Sequence, residues 1–82
     1  MARVGIEYCV ECMFLGRALE MAKMLLEDFP QQIRSLELIP GTRGIFTITL
    51  DGEPIFRIGE DGRVPAPEEI RRQLEPRLHA RA

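Results

Sequence analysis

The chain has 82 residues, 45% of them hydrophobic and 29% charged, with a net charge of −2; such a size and composition support one folded domain over residues 1–82, far from the regime of disorder. The slight acidity speaks against a nucleic-acid groove, which needs Lys and Arg clustered without interleaved acids. No apolar run approaches the ~20 residues of a membrane span, and Met1-Ala2-Arg3 leads straight into a strand pattern with no room for a signal peptide, so a cytoplasmic protein is expected.

In chain order, Val4, Ile6 and Tyr8 alternate as the inward face of a short strand does, and the run ends at Cys9 and Cys12. From Met13 to Phe29 apolar side chains recur at Phe14, Leu15, Ala18, Leu19, Ala22, Leu25, Leu26 and Phe29. Arg17, Glu20, Lys23, Glu27 and Asp28 lie opposite, which is the period of an amphipathic helix. Pro30 closes it by disfavouring helical geometry in the residue before. Gln31 to Ile39 alternates loosely, and Gln32, Arg34 and Glu37 suit an edge strand. Pro40-Gly41-Thr42-Arg43-Gly44 then breaks the chain. Ile45 to Leu50 and a return strand to about Ile58 flank Asp51-Gly52, the dipeptide favoured in a type I′ hairpin turn. That turn sets Leu50 opposite Glu53, Ile48 opposite Ile55 and Thr47 opposite Phe56, and Pro54 marks an outer edge. Gly59-Glu60-Asp61-Gly62 is a second break. Pro65-Ala66-Pro67-Glu68-Glu69 opens a helix with Ile70, Leu74 and Leu78 on one face, which Pro76 is expected to stop near Glu75 or to kink.

Strand, helix, strand, strand, strand, helix is an α/β order with a right-handed parallel crossover first and an antiparallel hairpin last. It gives a two-layer sandwich, β-α-β-β-β-α with a four-stranded mixed sheet, the minimal thioredoxin-like plan. In a strand-to-helix setting Cys-x-x-Cys is a redox signature, since free N–H groups at the helix start favour a thiolate and a second thiol one turn on is within bonding reach. Glu7 and Glu11 oppose that thiolate. In a reducing compartment so close a pair is seldom a structural staple. Placement assigns Cys9 as the open, attacking thiol and Cys12, followed by Met13 and Phe14, as the more buried resolving thiol. Read without chemistry, the two are small hydrophobes three apart. Read as zinc ligands, they are half of the soft donors required, and His79 lies far off in a charged tail, so no metal is expected. No nucleotide, flavin or phosphate fingerprint is present, and no bound cofactor is expected.

Ile6-Glu7-Tyr8-Cys9-x-x-Cys12, Phe29-Pro30, Leu38-Ile39-Pro40-Gly41, Gly44-x-Phe46 and Leu50-Asp51-Gly52-Glu53 together resemble the bacterial members of the selenoprotein W-like (Rdx) family, over residues 3 to 75 or so. The resemblance implies a thioredoxin-like fold with both helices on one sheet face and a Cys-x-x-Cys redox site. It also implies a thiol-disulfide oxidoreductase or redox sensor in cell redox homeostasis, linked to glutathione or a thioredoxin system. In the family's selenoproteins the selenium takes the position of Cys12, whereas thioredoxins attack with the residue that matches Cys9, so the two likenesses disagree on the nucleophile. Arg43-Gly44-Ile45-Phe46-Thr47 further resembles the thioredoxin segment that carries a cis-proline, with Phe46 in its place and a trans peptide expected before it.

Around the catalytic pair Cys9 and Cys12, the candidate substrate-docking loop is Val10, Glu11, Met13, Phe14, Arg43, Gly44 and Phe46. Its apolar collar suits a protein disulfide partner, and Arg17 or Arg43 suits the carboxylates of glutathione as co-substrate. With the helices on one face, Ile45, Phe56 and Ile58 remain on the other, and a weak homodimer through that face is expected. The alternative reading is a redox-responsive protein-binding module without significant turnover.

Overall fold

The computed structural model describes residues 1–58 and 63–80. Its elements are β1 (Ala2–Cys9), α1 (Leu15–Asp28), β2 (Ile33–Gly41), β3 (Phe46–Leu50), β4 (Glu53–Arg57) and α2 (Pro67–Ala80). The sheet order is β2-β1-β3-β4, with β1 parallel to β2 and antiparallel to β3. β1 is thus flanked on both sides and delivers Cys9 to one end of the sheet, while β2 and β4 are the edges. The break read at Gly59 to Gly62 lies outside the described residues.

Both helices cover the same face. Val4, Ile6, Phe46, Ile48 and Leu50 form one buried cluster with Ala18, Met21 and Leu25 of α1 and Ile70, Leu74 and Leu78 of α2. Ala18 and Ala22 let α1 sit close to the sheet and turn Met21 inward. Leu15, Leu19 and Leu26, expected in the buried stripe, are left 45–50% exposed along one flank of the helix. α2 runs through Pro76 to Ala80 rather than stopping at Glu75. The next turn buries Leu78 completely, and that burial, worth about 2 kcal/mol, offsets much of the cost of the interrupted helix bond. His79, expected in a tail, lies on this last turn with its ring edge-on to Phe29 at 6.1 Å. Arg71 ties the helices together, bonding Glu68 within α2 and facing Asp28 of α1 at 3.9 Å. The Arg71 hydrogen bond holds the Glu68 carboxyl below its ordinary range. The contribution of this exposed pair is therefore complete above that range, fades as acid protonates the carboxylate, and is small throughout.

The hairpin turn is as read: Asp51 and Gly52 have φ of 54° and 86°, as type I′ requires. It is also tied to β1, since the Asp51 N–H donates to the Arg3 carbonyl at 2.8 Å and the Arg3 N–H to the Asp51 carboxylate at 2.9 Å. The register differs beyond it. Leu50 pairs with Glu53 and Thr49 with Pro54, but Ile48 then pairs with Phe56 and Thr47 with Arg57. Pro54 has no N–H for the ladder, and Ile55 becomes the extra residue of a bulge. A one-residue slip exchanges the faces. Phe56 consequently packs against the core, where the bulged Ile55 and Ile58 are partly buried as well. The uncovered face carries the row of Arg3, Glu7, Ser35, Glu37, Thr47, Thr49 and Arg57, with Ile39 and Ile45 its main apolar members and Ile58 at its rim, so the apolar patch expected there is reduced by the turning of Phe56 to the core.

Gly5 lies in the middle of that face. A Cβ on it would stand 2.7 Å from the Thr49 Oγ1, which itself donates to the Gly5 carbonyl at 3.5 Å. Gly5→Ala is expected to lower stability by about 1–3 kcal/mol in urea unfolding. The double variant with Thr49→Ala should recover most of that loss, a non-additivity that measures the clash directly.

Candidate functional site

Cys9 is the last residue of β1 and is held on three sides. Its N–H donates to the Ile45 carbonyl at 2.8 Å, its carbonyl accepts from the Phe14 N–H at 3.2 Å, and its strand partner is Gly41. The neighbouring Val10 N–H donates to the Gly41 carbonyl at 3.1 Å. That close approach requires glycine, because a Cβ at position 41 would lie 2.7 Å from the Ile45 side chain and 3.0 Å from the Glu7 carboxylate.

The helix does not follow the cysteines at once. Residues 10–14 form a turn, closed by the Met13 N–H on the Val10 carbonyl at 3.1 Å, with Met13 in the left-handed region at φ 60°. α1 begins only at Leu15 behind Phe14, which supplies no side-chain cap. This turn carries Cys12 outward. The Cys9 and Cys12 sulfurs are joined as a disulfide, with Cα atoms 5.3 Å apart, inside the usual range for such a bond. The Cys12 N–H donates to the Cys9 sulfur at 3.2 Å.

The exposure of the pair is the reverse of the sequence expectation: Cys9 is 1% exposed and Cys12 is open to solvent. The reason is local. Cys9 belongs to the sheet, enclosed by the 41–45 loop and the turn, whereas Cys12 stands before the helix rather than inside its first turn. The positive end of the α1 dipole, argued for Cys9, therefore lies two residues beyond Cys12.

The docking-loop residues divide. Val10 is 54% and Met13 86% exposed, and Glu11 and Arg43 are exposed with them. Arg43 and Gly44 turn the facing loop with φ of 59° and 74°. Phe14 is half-buried and Phe46 fully buried, their rings edge-on at 6.1 Å. Phe46 thus offers no surface to a substrate, contrary to its placement in the docking loop, and serves instead as the floor on which the turn rests. All peptides among the described residues are trans, that before Phe46 included. Arg17 is exposed on α1. Sequence reading missed that the exposed row Leu15, Leu19 and Leu26 extends apolar surface down α1 from the turn. Glu7, read there only as a charge opposing the thiolate, shares a sheet face with Cys9, since the two are alternate residues of one strand.

Among the described residues no group of three His, Cys, Asp or Glu side chains is placed to hold a metal ion. No helix there is long and apolar enough to cross a membrane.

The model of the Rdx family matches residues 3–76. A crystal structure of a Bordetella parapertussis protein is similar to the chain with a TM-score of 0.85 and 33% identity, over 93% of this chain and 96% of that one. A crystal structure of a selenoprotein W-related protein from Vibrio cholerae is similar with a TM-score of 0.85 and 26% identity, over 94% of this chain and 96% of that one. No curated protein matches.

Proposed function

The chain belongs to the Rdx family, and on that premise we propose that it is a thiol-disulfide oxidoreductase that attacks with Cys12 and resolves with Cys9. The observation that supports this order is the unequal exposure of a bonded pair, with Cys9 sealed and Cys12 open. A visiting sulfur needs a line of approach, and only Cys12 offers one.

In the reduced protein the Cys12 thiolate attacks one sulfur of a substrate disulfide, and the other leaves as a thiolate. The Cys9 sulfur, within bonding distance, then attacks Cys12, releases the second substrate thiol and closes the internal disulfide. Two electrons have passed to the substrate. Glutathione or a thioredoxin system returns them by attacking the exposed Cys12 sulfur, with Cys9 as leaving group and the Cys12 N–H stabilising its departing charge. The apolar rim of Val10 and Met13 suits a protein or peptide disulfide, and Arg43 or Arg17 suits the carboxylates of glutathione. Such a cycle belongs in a reducing compartment, the cytoplasm.

A glutathione-coupled disulfide reductase assay tests the proposal. Turnover that disappears in Cys12→Ser supports it. Capture of a protein partner in both redox states with no turnover favours the redox-responsive binding module instead, for which the exposed leucine row of α1 would be the surface.

A further inference from the structure

We propose that Glu7 accepts the proton of the Cys9 thiol when Cys9 resolves the mixed disulfide, an inference that rests on the attack order above and adds the group that makes the second step fast. Burial creates the need. A thiol sealed from solvent cannot lose its proton to water directly, and burial in apolar surroundings disfavours the thiolate it must become.

Glu7 is placed to meet that need. It precedes Cys9 by two on β1, so both belong to the sheet face away from the helices. The register pairs Glu7 with Ile39 and Cys9 with Gly41, yet the Glu7 carboxylate lies over Gly41, with Oε2 3.0 Å and Cγ 3.2 Å from where a Cβ would stand. The side chain therefore leans along the strand over Gly41, the residue that the register sets beside Cys9. Its space exists because residue 41 has no side chain. Among the described residues the carboxylate has no hydrogen-bond or ion-pair partner. It also lines a groove of about 350 Å³ with Ile45, Thr47, Arg57 and Ile58, open to solvent, by which an accepted proton leaves. The charged groups around it on this face are Arg3 on β1, Glu37 on β2 and Arg57 on β4, with Arg43 and Glu11 on the two loops.

The step balances as follows. Cys12 is bonded to a substrate sulfur. The Cys9 thiol gives its proton to the Glu7 carboxylate, the Cys9 sulfur bonds to the Cys12 sulfur, and the Cys12–substrate bond breaks. The substrate leaves as a thiolate that takes a proton from water, and Glu7 returns its proton to the groove. In the reverse direction the Glu7 carboxyl protonates the Cys9 thiolate as the internal disulfide opens.

The test is the reaction of the fully reduced protein with one equivalent of an aromatic disulfide that releases a coloured thiolate at each step. The first, bimolecular phase reports attack by Cys12, and the second, unimolecular phase reports resolution by Cys9. Glu7→Gln is expected to leave the first phase unchanged. It should slow the second at neutral pH by about tenfold or more, with the gap closing above pH 9 as hydroxide takes over and with partial rescue by Glu7→Asp. A second phase that is unchanged or faster in Glu7→Gln overturns the proposal, because a carboxylate that acts only through its charge suppresses the Cys9 thiolate and its removal speeds resolution. The attack order is read separately, from the first phase in each Cys→Ser variant. Its loss in Cys9→Ser but not in Cys12→Ser would overturn the order and this proposal with it, whereas an unslowed second phase in Glu7→Gln with the order intact overturns the proposal alone.

Discussion

Cys9→Ser is expected to accumulate a stable mixed disulfide at Cys12 when the reduced protein meets oxidised glutathione or a disulfide-bonded peptide, while Cys12→Ser accumulates none. With Cys9 1% exposed and Cys12 open, an entering disulfide reaches only the latter. Removing Cys12 deletes the sulfur that every exchange passes through, and turnover should fall by about three orders of magnitude or more, as for loss of any covalent nucleophile. Removing Cys9 deletes only the exit, so the first exchange proceeds and then stalls. Intact-mass measurement after the exchange is quenched in acid separates the cases. Trapping in Cys12→Ser rather than Cys9→Ser would restore the order expected from thioredoxin.

Phe46→Ala should be the most destabilising single truncation near the site. The ring is fully buried at the start of β3, between Tyr8 of β1 and the edge of Phe14. Losing it costs about 3–5 kcal/mol in a core that cannot collapse around the void, against a total on the order of 4–12 kcal/mol for a domain of this length. The expected fall in Tm is roughly 15–30 °C. Phe46→Leu, which keeps most of the volume, should cost much less. Because Phe14 rests on this ring, the Cys turn should also loosen, visible as faster amide exchange at residues 10–14 before global unfolding. A Tm within a few degrees of the parent protein would contradict the assignment of Phe46 as the floor of the turn.

Much of the fold is legible in the residues, because each signal there is local. The alternation of Val4, Ile6 and Tyr8, the helical stripe ended by Pro30, and Asp51-Gly52 at positive φ each act within a few positions. The errors come where a distant contact outvotes a local rule. Pro54 weakens the ladder at the one place where a bulge sends Phe56 to the core, and from there a register counted from the turn alone is off by one. Pro76 should end a helix, but the sheet has a place for Leu78 one turn further on, and burial carries the helix past it. The site follows the same division. That Cys9 and Cys12 form the pair is legible in their spacing, but which sulfur faces solvent is not. The exposure depends on the Ile45 carbonyl and Gly41 reaching across from another part of the chain to hold Cys9 in the sheet, and on a five-residue turn between β1 and α1 that the apolar period of Met13 and Phe14 conceals.

As a dithiol–disulfide couple, Cys9 and Cys12 should exchange electrons as one unit. Equilibrating the protein in glutathione buffers of graded potential, quenching with an alkylating reagent and counting labelled thiols by mass tests it most directly. Labels should be lost two at a time in a single two-electron transition, with a midpoint between roughly −180 and −300 mV, and with no singly labelled species in the parent protein. Two thiols that stay labelled throughout the oxidising range, or that are lost one at a time to separate glutathione adducts, would contradict it.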